Sequence, residues 1–323
     1  MRWPWHKKSS LDRLVFSWSG GVFAYVRALA SPNTGGLAQF TIQQMGVLHQ
    51  GDRVFDDFIL ELRGLGLKGL IAHGMLRLDQ YQLLQIDSPP VAPEEVRSAA
   101  RYQIKDMVHA HLDDITLDVM KVGDGQQKGS GNLFVVATLN EVVRGLNTLG
   151  DALNWEIPVI DIHETAQRNL QTLVALAENH LDKAEAALLL SDERQITFTI
   201  TANEELFLSR RLELPAGFWQ ALSGGAEWDM TDAERAQRFV LEVQRSMDLW
   251  DRTWSHRPLG GLRVYAGEHS AAFATWLGHE IGQVVGTMDF HPYFTGLDSY
   301  PIPDQTQCLP LLGVLLRTET RKL

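Results

Sequence analysis

Residues 132–176 read NLFVVATLNEVVRGLNTLGDALNWEIPVIDIHETAQRNLQTLVAL. An apolar run at 133–139 gives way to an amphipathic run whose apolar positions, Val142, Val143, Leu146, Leu149 and Leu153, share one helical face. A second short apolar run at 157–162 precedes a second amphipathic run. The order is strand, helix, strand, helix. Strands this apolar need a covered sheet, so the two are expected side by side with the helix packed on one face. Asn140 stands where a cap for the first helix belongs and Thr165 where one for the second does. Asp161, His163 and Glu164 cluster where the second strand passes into its helix, the edge at which open α/β sheets keep their sites. The same three residues can equally be plain helix-capping groups.

Outward from this unit, residues 188–190, 196–200 and 206–212 predict three consecutive antiparallel strands. Residues 14–29 followed by 37–48 predict a similar cluster near the N-terminus, with a tight turn at Ser19, Gly20 and Gly21. Two strand clusters, each leading into helices, suggest two related halves. Between them come a short helix at 56–65, a strand at 67–72 and an extended run at 81–86, then the punctuation SPPVAP at 88–93. A helix is expected over 94–108, with Pro93, Glu94 and Glu95 at its first turn, where proline and negative charge are both favoured. A strand at 115–122 and the polar loop GDGQQKGSGN at 123–132 complete that block. In the second half a long amphipathic helix over 231–254, capped by Thr231 and Asp232, turns Phe239, Val240, Val243, Met247, Leu249 and Trp250 toward the core. A strand at 262–266, a helix at 270–281, a strand at 283–288 and the apolar run CLPLLGVLLR at 308–317 close the chain.

At 323 residues, 45% hydrophobic and 21% charged, the chain has room for two domains of ordinary globular makeup. Its one cysteine, Cys308, excludes an intramolecular disulfide and fits a reducing compartment, hence a cytoplasmic location. A net charge of −11 argues against a nucleic-acid partner, because phosphate neutralisation needs clustered Lys and Arg. No apolar run approaches the ~20 residues that span a bilayer. The N-terminal MRWPWHKK sets Trp3 and Trp5 beside Arg2, Lys7 and Lys8, a makeup suited either to a membrane interface or to a frayed terminus. His109 and His111 lack acidic or Cys partners at ligand spacing, and no nucleophile-elbow, dinucleotide or Walker pattern occurs.

The element order, the wording of residues 132–176, and EVQRSMDLW at 242–250, close to the family's EIQRSLDFF, resemble the actin-like pilus assembly proteins of the PilM family over nearly the whole chain. The resemblance implies an α/β, actin-like (ribonuclease H-like) two-domain fold with the inserted subdomain that PilM shares with the division protein FtsA. It divides the chain into an N-terminal segment (1–13), a first domain (14–180) with an insertion at about 77–155 and a closing helix at about 309–323, and a second domain (181–308).

In that fold the first hairpin carries a phosphate loop of Asp, an apolar residue, Gly and small hydroxylated residues, with a Lys a few positions on. Here Ser17 stands in the Asp place and Ala24 in the Lys place, while Gly20 and Gly21 still offer backbone N–H groups. The second loop, in LLLSDERQITFTI at 188–200, has no glycine, and Asp192 and Glu193 would repel a triphosphate. The adenosine turn, YAGEHSA, keeps only Gly267, with Glu268 and His269 where the base would lie. The expectation is a vestigial nucleotide site at Ser17, Gly20, Gly21 and Gly267, with no catalytic residue, metal or cofactor; an ATP-binding protein or ATPase is the alternative. The resemblance further implies a scaffold on the cytoplasmic face of the inner membrane, within a type IV pilus platform that reaches a cytoplasmic motor ATPase. Its partner would be the tail of a bitopic PilN-like protein, of Asn-Leu-Leu-Pro character with basic residues nearby. The docking face expected on helix 94–108 exposes Ala99 and Ala100 for close approach, with Val96, Gln103 and Ile104 around them. A GspL-like type II secretion component shares the implied fold; that family continues into a transmembrane helix and periplasmic domain where this sequence reads RTETRKL.

Overall fold

The computed structural model describes residues 11–31, 37–124, 131–224 and 229–318. Three sheets organise them. In the first, β1 (Asp12–Ser19), β2 (Val22–Ala30) and β3 (Phe40–His49) form an antiparallel meander. β4 (Ala72–Met75) pairs parallel with β1 and defines one flank of that meander. In the third sheet, β5 (Tyr81–Asp87), β6 (Ile115–Lys121) and β7 (Asn132–Leu139) run antiparallel in the order β5-β7-β6. β8 (Ile160–Asp161) returns to the first sheet beside β4. The second sheet repeats the plan of the first: a meander of β9 (Ala184–Leu190), β10 (Gln195–Ala202) and β11 (Glu205–Glu213), then parallel strands β12 (Leu259–Tyr265) and β13 (Val285–Thr287). β14 (Phe294–Thr295) crosses back to the outer side of β3, so the first sheet has the order β14-β3-β2-β1-β4-β8. β9 is buried along its whole length, as a central strand covered on both faces must be.

The opening stretch folds otherwise than its pattern predicts. β7 and β8 are not neighbours: β7 is the central strand of the third sheet, while β8 is a two-residue edge strand of the first. A central antiparallel strand covered on both faces carries the same unbroken apolar run as a parallel one, so periodicity does not separate them. Pro158, with no N–H to give a ladder, stands in the run at 157–162, where only 160–161 form a strand. The strand expected at 67–72 is displaced to β4, with a single bridge between Ile71 and Glu156 ahead of it.

α1 (Phe55–Gly64) buries Phe58, Ile59 and Leu62 against Phe16 and Phe23 of the first sheet. α2 (Val96–Gln103) covers the third sheet, following a 3-10 turn at Pro93–Glu95. α3 (Asn140–Leu153) returns to the first sheet, with Leu146, Leu149 and Leu153 in the cluster around Phe16 and Trp155. Asn140 lies inside this helix rather than capping it; its amide donates to the Asp113 carbonyl (2.8 Å) and its side-chain oxygen accepts from Thr116 (2.7 Å). α4 (His163–Ala177) runs between the two larger sheets: Ala166, Leu170 and Leu173 share one core with Val15 and Val26 and with Ala187 and Leu189. Its buried Gln167 is satisfied across the interface, donating to the carbonyls of Ala187 (3.2 Å) and Thr197 (3.0 Å) and to the Thr199 hydroxyl (2.8 Å).

α5 (Phe218–Leu222), α6 (Met230–Thr253) and α7 (Ser270–Ile281) cover the second sheet. α6 is capped by Asp229, whose carboxylate accepts from the Asp232 amide (2.7 Å), so Thr231 and Asp232 sit in its first turn, and Leu249 faces solvent. α8 (Ile302–Leu315) begins ahead of the expected 309 because Pro301 and Pro303 serve as cap and first-turn residues rather than breakers. It packs on β1, β2, β3 and α4, with the carbonyl of Gly313 accepting from Asn169 (2.9 Å). Trp3, Trp5 and 319–323 lie outside the described residues.

Candidate functional site

Where the two larger sheets face each other, a cavity of about 400 Å³ opens between the end of β4, the start of α4, the β9–β10 hairpin and β11. Arg77, Asp79, His163, Ser191, Asp192 and Arg211 are among its lining residues. The first expected phosphate loop is a two-residue hairpin in which Ser19 pairs with Val22, and the positive φ of Gly20 (+57°) and Gly21 (+74°) is what that turn demands. The Gly21 carbonyl accepts from the Gln50 amide (2.7 Å), and Ser19 donates to the Asp79 carboxylate (2.7 Å). Ser17 is buried inside β1. In the second hairpin Ser191 and Thr197 share a hydroxyl hydrogen bond (2.7 Å), and Arg194 donates to Glu213 (2.6 Å). Gly267 has φ +56°, and a Cβ there would overlap the Thr306 hydroxyl of α8, so its need for glycine comes from the protein's own packing. His269 stacks on Trp219, centroids 4.9 Å apart and planes 8° apart, while Trp219 Nε1 donates to the Glu193 carbonyl (2.9 Å). An aromatic pair thus joins the second hairpin to the adenosine turn. Trp219, on the short α5, gave no sequence signal.

At the mouth of α4 lies a buried polar knot. Glu164 accepts from Arg211 Nη2 (3.2 Å) and from the Tyr81 hydroxyl, and Arg211 stands 4.5 Å over the Tyr81 ring. Arg211 Nη1 also donates to the Leu78 carbonyl (2.7 Å), and the His163 amide donates to the Tyr81 oxygen (3.2 Å). One cluster therefore ties β5 of the third sheet, α4 and β11 of the second sheet together. A second tie lies nearby, where Arg257 pairs with Asp124 (2.9 Å) and the Gly123 amide donates to the Leu206 carbonyl (2.7 Å). Burial, and next the Glu164 charge, push the Tyr81 hydroxyl well above its ordinary pKa, so it remains a donor. Of the polar trio flagged in the sequence, Asp161, His163 and Glu164, Glu164 joins this knot and Asp161 pairs with Arg317 (2.8 Å) beyond α8. Thr165 donates to Asp161 and to the Ile162 carbonyl (3.0 Å) instead of capping α4.

His163 lines the cavity, and burial followed by the charges of Arg77 and Arg211 lowers its pKa to about 3. The unfolded chain takes a proton near the ordinary value of about 6.5 that the folded state refuses, so stability falls as pH drops through this window. In His163→Gln, the loss of unfolding free energy between pH 7 and pH 5 should shrink by about 2 kcal/mol against the parent. Denaturant titrations at the two pH values measure it; an unchanged pH dependence would remove His163 from the balance.

The expected docking face needs correction. α2 ends at Gln103, and Ala100 and Ile104 are fully buried against Ile115, Leu117 and Val135 of the third sheet. Val96 and Ala99 are half-buried, and Gln103 is exposed. The helix turned Ala100 inward because its apolar face, with Ile104, Val108 and Ala110 behind it, covers the three-stranded sheet. Beside it, a shallow groove of about 440 Å³ lies at the end of β5 and the start of β7, lined by Gln85, Ile86, Asp87, Gln103, Met107 and Asn132. Tyr102, 75% exposed, stands next to it in sequence. Among the described residues no cluster of His, Cys, Asp or Glu is arranged to hold a metal, and no helix is long and apolar enough to cross a membrane.

Two meander-plus-parallel sheets with a helix between them, a cleft at the paired hairpins and a third sheet inserted after β4 define an actin-like, two-domain α/β protein. No family model and no curated protein matches the sequence. The PilM–PilN type IV pilus biogenesis complex matches in structure with a TM-score of 0.66 at 14% identity, over 94% of this chain and 98% of the other. A Bacteroides thetaiotaomicron protein with an actin-like ATPase fold and unknown function matches with a TM-score of 0.50 at 10% identity, over 94% and 96%. The cytoplasmic domain of EpsL, an inner-membrane component of the Vibrio cholerae type II secretion system, matches at 0.40 and 12% identity, over 67% and 76%.

Proposed function

We propose that the protein is a non-enzymatic scaffold of PilM type. It sits on the cytoplasmic face of the inner membrane within a type IV pilus assembly platform, docks the cytoplasmic tail of a bitopic PilN-like protein and relays to a motor ATPase. The element order and the wording of residues 132–176 support the finer assignment to an MSHA-type pilus, in the role of MshI. The observation that carries the scaffold reading is the cleft. Phosphoryl transfer needs phosphates cradled by backbone, a carboxylate-held metal and a positioned base. Here the second hairpin and the adenosine turn are joined by Trp219 and His269, and Arg211 bridges the cleft to Glu164. The tail's place is the groove beside α2, where Met107 and Ile86 offer apolar surface and Asp87 suits a basic tail; the net charge of −11 favours its approach.

Calorimetry with a synthetic tail of Asn-Leu-Leu-Pro character and basic flanks tests this. Saturable binding is expected, weakened about tenfold or more by Met107→Asp, which replaces an exposed apolar contact with a charge, at an unchanged thermal midpoint. No binding by the parent protein would end the docking role. Mg-ATP in the same assay should give no saturable heat. A thermal shift approaching the ~2.7 kcal/mol that a ligand at a hundred times its Kd confers would return the cleft to nucleotide.

A further inference from the structure

β11 is the edge strand of the second sheet. Its inner side pairs with β10 along its whole length, and on its outer side the Gly123 amide meets the Leu206 carbonyl. Among the described residues no other backbone group pairs with that outer side, so 208–213 present an open row of strand N–H and C=O groups. Between this edge and α6 lies a groove of about 680 Å³. Five arginines line it, 194, 210, 211, 235 and 238, with the two carboxylates Glu213 and Glu242, which pair with Arg194 (2.6 Å) and Arg210 (3.2 Å). Leu212, Leu214 and Phe239, all buried, form its floor. Arg211 is held by Glu164, but among the described residues Arg235 and Arg238 make only long pairs within their own helix, to Asp232 (3.4 Å) and Glu234 (3.9 Å), with side chains 54% and 76% exposed. Exposed pairs of that kind contribute little and exchange readily for a better-placed carboxylate.

We propose that this edge captures an acidic, extended segment of a protein partner, added to the five-stranded sheet beside β11 with its carboxylates on Arg210, Arg235 and Arg238. A backbone is what an open strand edge recognises, and successive same-face side chains of an added strand, about 7 Å apart, meet apolar floor and arginine fork in one register. Arginine's planar fork suits carboxylates. Glu213 and Glu242 stand among the arginines, which penalises a continuous polyanion more than a segment that carries its charges on alternate residues. This surface lies on the second sheet, apart from the groove beside α2.

The probe is a short fluorescent peptide of alternating Glu and Val, followed by anisotropy on the intact protein. Saturable binding is expected, weakened at least about tenfold by Arg235→Glu with Arg238→Glu, two exposed positions whose reversal should leave the thermal midpoint in place. The same peptide with proline in place of its valines, which cannot complete a strand ladder, should not bind, and Met107→Asp should bind as the parent does. The proposal is overturned by absent binding to the parent, by equal binding to the charge-reversed protein, or by equal binding of the proline peptide. Equal, arginine-dependent binding of a thymidine oligonucleotide or of phosphatidylglycerol vesicles would also overturn it, as a general anion patch. Should the double variant fail to fold, the comparison of valine and proline peptides on the parent decides alone.

Discussion

Gly313→Ala should lower the unfolding free energy by roughly 3 kcal/mol, the upper end of what an added methylene costs in a packed core. At position 313 a Cβ would overlap the carbonyl carbon and oxygen of Ala166 and stand 3.0 Å from its Cα. These are backbone atoms of α4, and α4 cannot recede, because beyond it lie Ala187 and Leu189 of the second sheet in the same core. Nor can α8 withdraw without exposing Leu309, Leu311, Leu312, Val314 and Leu315, all fully or almost fully buried. Urea unfolding of parent and variant measures the effect, with Gly145→Ala as control. At 145, inside α3, a Cβ meets nothing within 4 Å, and alanine should stabilise by about 0.5–1 kcal/mol through backbone entropy and helix propensity. A Gly313→Ala variant as stable as the parent would mean that the two helices do not cross backbone to backbone.

Arg211→Leu is the second large expected effect, a loss of about 2 kcal/mol. Its partner Glu164 has a side chain only 1% exposed, so removing the guanidinium leaves a buried carboxylate with the Tyr81 hydroxyl as its remaining side-chain partner. Stranding a fully buried charge costs about 3–5 kcal/mol, and the discount reflects solvent reaching Arg211, whose side chain is 31% exposed. The double variant Arg211→Leu with Glu164→Leu should recover part of the loss, because no lone charge then remains in the interface. The single and double variants close a thermodynamic cycle by denaturant titration. A single-variant cost below about 0.5 kcal/mol, the level of a surface change, would remove this knot as the tie between the sheets.

Both sites show where sequence reading stops. The β1–β2 hairpin was legible because a Gly-Gly turn flanked by apolar residues is a local signal, and the meander of β9, β10 and β11 because its short apolar runs are separated by short polar turns. Arg211, Glu164 and Tyr81 were not legible as one group: Glu164 stands 83 residues from Tyr81 and 47 from Arg211, and attraction between distant charges imprints no period on a chain. Ala100 and Ile104 show the same limit at shorter range, since helical periodicity reveals that a helix has an apolar face but not which surface takes it. What the sequence determined by itself was the kind and order of most elements, because propensity, periodicity and turn chemistry act over a few residues. Only the tertiary structure decided that β7 sits at the centre of a third sheet away from β8, that Gly313 is where α8 meets α4, and that the cleft is bridged by Arg211, because each depends on which surfaces meet once the chain has closed on itself.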